Sequence, residues 1–91
     1  MRAYILTPHG EKQEASPTGD TFTLEELQNI VGGYIEVVPL TDGVVMVVDE
    51  EGKCKDKYYN EEATKLFHKC HPKTPDFIVG TVLVCDSKMI K

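Results

Sequence analysis

Arginine is almost missing from this 91-residue chain: Arg2 is the single one, and tryptophan is absent. Readers of nucleic acid lean on arginine for two-pronged contacts to bases and phosphates. The formal net charge of −5 also withholds the cationic surplus that would displace condensed counterions, so general nucleic-acid binding is not expected. Long apolar runs are missing too. Nothing approaches the ~20 residues that span a membrane, and Met1-Arg2-Ala3-Tyr4-Ile5-Leu6 gives way to Thr7-Pro8 too soon for a secretory signal. The expectation is a cytoplasmic protein with no membrane partner. Cys54, Cys70 and Cys85 show no C-x-x-C spacing, and three thiols cannot all pair within one chain, which argues against a disulfide framework. Neither Ser16 nor Ser87 stands in a G-x-S-x-G context. These gaps point away from an enzyme: no catalytic residue and no cofactor is expected.

What the chain does contain specifies a fold. Its length allows one hydrophobic core, so residues 1–91 form a single domain. Arg2 to Thr7 reads as a short apolar strand stopped by Pro8. Pro8 to Thr21 is rich in turn formers and holds no large apolar residue, which predicts a mobile loop over 8–21. Thr23-x-x-Glu26 is a capping box, and Phe22 with Leu27 occupies the two positions of a hydrophobic staple. Leu24, Leu27, Ile30 and Val31 make an apolar stripe at helical spacing. Gly32 suits the left-handed residue that ends a helix, and Gly33 lets the chain turn into a strand at once.

Tyr34 to Leu40 alternates as a strand, with Ile35 and Val37 on one side and Tyr34, Glu36 and Val38 on the other. Pro39 marks an edge or a bulge. Thr41-Asp42-Gly43 is a hairpin connection to Val44–Val48, whose unbroken apolar run predicts burial on both faces. Asn60 caps a second helix with Glu61 and Glu62 in its first turn, a Glu61–Lys65 pair, and a buried side of Ala63, Leu66 and Phe67. Pro72 forbids continuation, and Phe77 to Cys85 reads as the last strand, with Gly80 marking a bulge or a close approach of backbone. The order β-α-β-β-α-β predicts a small α+β domain with a mainly antiparallel sheet and two short helices, ferredoxin-like or a small barrel-like variant.

Candidate sites are few. His68, Cys70 and His71, with Cys54, offer metal-ligand atoms, but Cys70 turns away from the two histidines on a helix and no paired signature exists, so no metal is expected. Val31-Gly32-Gly33-Tyr34 runs from helix to strand, opposite to the strand-to-helix order of phosphate loops. Tyr34 and Glu36 share a strand face, where a ring could stack and a carboxylate could accept N–H donors. Tyr58, Tyr59 and Asn60 would add aromatic faces beside the N–H groups of a helix start. These five are the candidate ligand-binding residues.

Three blocks carry a resemblance: Val31-Gly32-Gly33-Tyr34-Ile35-Glu36-Val37-Val38, Val47-Val48-Asp49-Glu50-Glu51-Gly52-Lys53, and Ile78-Val79-Gly80-Thr81-Val82-Leu83-Val84, with Asn60, Ala63 and Thr64 between the last two. Together they resemble a small domain-of-unknown-function family, common in phage, plasmid and other mobile-element genomes, with a Val-Gly-Gly-x-Ile-Glu signature. Cys70, His71 and the loop around His9 are not part of its pattern. The resemblance implies a genomic setting and no assigned catalytic residues. It implies a non-catalytic accessory protein that binds a host protein. The alternative is a protein that binds or sequesters a nucleotide-like small molecule. For that alternative a homo-oligomer is expected, because a chain this short seldom encloses a pocket alone.

Overall fold

Thr23 starts the first helix in the way its position demands. In the computed structural model, which describes residues 3–90, the Thr23 hydroxyl accepts the Glu26 N–H at 3.1 Å and the Glu26 carboxylate accepts the Thr23 N–H at 2.9 Å. The same carboxylate takes the Thr18 N–H at 3.1 Å, which draws the preceding chain onto the helix start. The helix α1 (Leu24–Val31) ends at Gly32, whose φ of 81° is left-handed and whose N–H reaches Gln28 O. Phe22 and Leu27 are both buried in one apolar cluster, so the staple is formed. Gly33 is needed for room: a Cβ there would run into Lys55 Nζ and, at 2.8 Å, the Asp49 carboxylate.

Among the described residues, five strands make one sheet: β1 (Ala3–Leu6), β2 (Lys12–Ala15), β3 (Ile35–Thr41), β4 (Val44–Asp49) and β5 (Val82–Asp86). Their spatial order is β2-β1-β5-β4-β3, and every neighbouring pair is antiparallel. Helix α2 (Glu61–Cys70) and α1 lie on opposite faces. Val45, Val47, Leu83 and Cys85 pack with Leu27 and Val31, while Met46, Val48, Val82 and Val84 pack with Ala63 and Phe67. That explains the unbroken apolar run of β4, and β5 is buried on both sides in the same way: each face of each strand meets a helix.

The α+β class, the antiparallel sheet and the expected element order are present. The layering refines the expectation, because the sheet sits between its two helices and stays open at β2 and β3. The loop expected over 8–21 contains a strand. Lys12–Ala15 pairs with β1 from Leu6↔Lys12 to Ala3↔Ala15, across a turn closed by Thr7 and Glu11. It escaped the pattern because an edge strand exposed along Lys12, Gln13 and Glu14, with only Ala15 touching the core, needs no apolar alternation. The last strand is also shorter than the expected Phe77–Cys85. Residues 77–81 instead bond to the start of α2: Asn60 N–H donates to Ile78 O at 2.9 Å and Gly80 N–H to Tyr58 O at 2.8 Å. Gly80, at φ 77°, then turns the chain into β5, with the Lys57 side chain pressed where a Cβ would sit. The strand start at Arg2 lies outside the described residues.

Asn60 caps α2 by accepting the Ala63 N–H at 3.0 Å. Ala63, Thr64 and Phe67 form its buried side, and Leu66 is half-buried. Thr64 Oγ1 accepts the Ile78 N–H at 2.9 Å, holding residues 77–79 beside the helix. The expected Glu61–Lys65 pair is made at 3.2 Å. Among the described residues, no helix is long and apolar enough to cross a membrane.

Candidate functional site

Residues 77–79 do not pack flush on the sheet, and the space they leave is a groove of about 260 Å³ on the α2 face. Its apolar floor is Val48, Phe67, Ile78 and Val79; Glu36, Lys53, Asp76 and Phe77 stand at its margins. Phe77 is 42% exposed and Tyr59 53% exposed, their ring centroids 6.0 Å apart and tilted. Lys53 Nζ lies 4.4 Å above the Phe77 ring and pairs with Asp76. That ammonium is the chief cause holding the Asp76 carboxyl below its ordinary range, helped by the Phe77 N–H. The result is an aromatic ledge with a cation on it, beside an apolar trough.

Strand β3 borders this groove as the sheet's edge. Glu50 N–H donates to Tyr34 O at 2.9 Å. With Glu36 opposite Val48 and Val38 opposite Met46, alternation of antiparallel bonding turns Glu36 and Val38 inward to β4. It turns the main-chain groups of Ile35, Val37 and Pro39 outward. Pro39 has no N–H to offer, and its carbonyl is met by His71 Nε2 at 2.6 Å. The register then slips at Leu40, between Pro39 and Thr41, so the expected bulge is formed.

A polar hub lies at the other end of β4. The Asp49 side chain is 1% exposed and meets Lys57 Nζ at 2.6 Å and Lys55 Nζ at 3.1 Å. It also accepts the Glu51 N–H at 2.9 Å. Burial alone would raise its pKa, but Lys57, the Glu51 N–H and Lys55 outweigh it and bring it down to about 2. Lys57 also donates to Val31 O at 2.5 Å and Lys55 to Gly32 O at 3.4 Å, the unpaired carbonyls at the end of α1. Outside this hub lies a wider hollow of about 630 Å³, bounded by Thr7, His9, Lys57, Tyr58 and Thr81 among others. The His9 and Tyr58 rings stand 6.1 Å apart across it.

The five expected site residues do not converge. Tyr34 and Glu36 are both exposed, but Tyr34 lines a shallow hollow with Gln28, Gly33, Glu51 and Lys55, whereas Glu36 belongs to the groove. Tyr59 joins the groove's aromatic ledge, and Tyr58 borders the hollow on the far side. Asn60 is fully buried with every polar atom used: beyond its cap, Nδ2 donates to Leu6 O at 3.1 Å and to Gly80 O at 2.8 Å. It holds the fold together and has nothing left for a ligand. Phe77, Lys53 and Asp76 were missed as site residues, and so were Asp49, Lys55 and Lys57. The alternating Lys53-x-Lys55-x-Lys57 in an acidic chain was the available signal.

His68 Nε2 lies 2.6 Å from Asp76 O, and among the described residues no three His, Cys, Asp or Glu side chains are placed to hold a metal ion. The three cysteines are free thiols. Burial and the neighbouring Asp86 push the Cys85 thiol up to about 11, so it stays protonated near neutral pH.

No curated protein and no solved structure matches this chain. One family does, and its model matches residues 1–89: the chain belongs to DUF3846, a domain of unknown function.

Proposed function

We propose that this protein is a non-catalytic interaction protein that holds another protein at the groove beside β3, as an accessory factor of phage or mobile-element type. The observation that carries the reading is the Tyr59–Phe77 ledge. Two large aromatic rings are left exposed next to an apolar trough, where a monomer would gain by burying them. Aromatic side chains beside a pocket are the common anchors of protein interfaces. The net charge of −5 suits a partner with a basic surface. The mobile-element setting rests on the sequence resemblance.

The test is photo-crosslinking in a lysate of a cell that carries the gene, with a photoreactive residue in place of Tyr59. A discrete crosslinked protein should appear, and Phe77→Ser should weaken its capture about tenfold or more. Leu24→Ser, at an exposed residue of α1, should leave it unchanged. Capture that is indifferent to Phe77→Ser would end the proposal.

A second reading has an observation of its own. The hollow bounded by His9, Lys57 and Tyr58 has room for a nucleotide-sized molecule, with two rings to hold a base and an ammonium beside them. A thermal-shift panel of cyclic and linear nucleotides addresses it. A true ligand at a hundredfold its Kd adds about 2.7 kcal/mol of stability, and a panel without any shift sets this reading aside for those compounds.

A further inference from the structure

We infer that the open stretch of β3, Ile35–Val37, takes up an extended segment of a partner protein as a sixth strand, and that the segment carries a lysine or arginine opposite Glu36 between two apolar residues. This rests on the protein-binding reading above and names the kind of partner. The outward main-chain groups of Ile35 and Val37 meet no hydrogen-bond partner among the described residues, while Pro39 and His71 close the edge just beyond them. What remains is a window of two N–H and two C=O groups. An antiparallel strand matches it by exchanging two bonds with each residue.

The side chains at this window dictate what the strand carries. In that pairing, the residue facing Glu36 sits in the closely spaced, non-hydrogen-bonded position. Glu36 is exposed and makes no ion pair among the described residues, and the exposed carboxylate of Glu50 lies along the same groove. A basic residue opposite it is favoured; an acidic one is repelled. Val37 is 42% exposed on the opposite face of the sheet, beside Ile35, so the flanking residues of the incoming strand meet apolar side chains. The triplet is apolar, basic, apolar.

A second copy of this chain fits badly. The two-fold pairing that uses all the free groups sets Ile35 against Val37 of the other copy and places the two Glu36 carboxylates face to face. Centring the axis on Val37 instead sets Ile35 against Pro39, which has no N–H and whose carbonyl is already met by His71. The β2 edge of another copy offers Lys12-Gln13-Glu14, with no apolar flanks. A foreign strand is the better occupant.

The experiment uses the full chain, 15N-labelled, titrated to millimolar acetyl-Thr-Val-Lys-Val-Thr-amide or its Lys-to-Glu counterpart. The lysine peptide should move the Ile35 and Val37 amide protons downfield to saturation. The glutamate peptide should bind about fivefold more weakly, and Glu36→Lys should reverse the preference. Unmoved Ile35 and Val37 amides, or equal responses to both peptides, would overturn the inference. So would a doubled mass by light scattering without peptide that Glu36→Lys or Val37→Pro abolishes. The peptide titration and the Phe77→Ser crosslinking assay together separate the two proposals. If the peptides fail while capture still depends on Phe77, strand addition falls and the groove reading stands. If the peptides succeed while capture ignores Phe77, the reverse holds.

Discussion

Asn60 and Asp49 are both buried polar side chains that tie loops to the sheet, and they do it by opposite means. Asn60 is neutral, wholly enclosed, and joins β1, the Gly80 turn and the start of α2 with three hydrogen bonds. Asp49 is ionised, and its two lysines reach water, with 39% of the Lys55 side chain and 22% of the Lys57 side chain exposed. A neutral amide suits the enclosed site because burying a charge there would cost more than its bonds return. A carboxylate suits the rim because solvent still supports its cationic partners. The difference teaches that the Asn60 junction should ignore pH and salt while the Asp49 junction should feel both.

Breaking the neutral junction should have the largest effect. Asn60→Ala removes a helix cap and strands two buried carbonyls, at a cost of about 3 kcal/mol; for a domain this small, that lowers Tm by roughly 15 °C in calorimetry. Asn60→Asp keeps the cap acceptor and loses both donors, so it should be no better; recovery of stability would mean that the cap alone matters. Asp49→Asn should cost less, about 2 kcal/mol by urea denaturation, because the released lysines can turn to water.

Acid is the test that separates the two. With the Asp49 pKa at about 2 in the folded chain and 3.8 as its ordinary value, its contribution is complete above about pH 4 and lost as pH falls through 2. That loss is about 2 kcal/mol. Asp76 is shifted the same way and adds to the acid sensitivity with the same sign. Asn60→Ala should lose stability in acid as steeply as the native chain does, and Asp49→Asn should be flatter; equal slopes in all three would contradict the assignment. The smallest expected effect is Lys55→Met, about 0.5 kcal/mol at low salt and less in 1 M NaCl.

Legibility in the sequence follows the range of each contact. Helix α1 was readable from end to end because Thr23, Glu26 and Gly32 act on neighbours within a turn. The cap half of Asn60 was readable for the same reason. Its donor half was not, because Leu6 lies 54 residues away and carries no mark of the contact. The Asp49 hub was hidden likewise, its lysines coming from a loop and its carbonyl partners from α1. Alternation placed Tyr34 and Glu36 on one side of a strand, yet the strand begins only at Ile35, and Tyr34 lies in a hollow beside Gln28 of α1 while Glu36 lines the groove. Strand β2 was missed because its only requirement is a partner edge. The apolar run of β4 announced burial on two faces but not which helix would cover which, and the same burial of β5 was not read.

The position of β5 also sets an order of events as the chain is made. The β1–β2 and β3–β4 hairpins join near neighbours and can close early. Residues 82–86 supply the strand between them, pairing Val84 with Tyr4 on one side and Met46 on the other. Until that segment has been synthesised, each hairpin shows a raw edge and neither helix has a complete surface to cover. The sheet is therefore completed from its middle, and a nascent chain stopped before residue 82 is two unconnected halves exposed to aggregation.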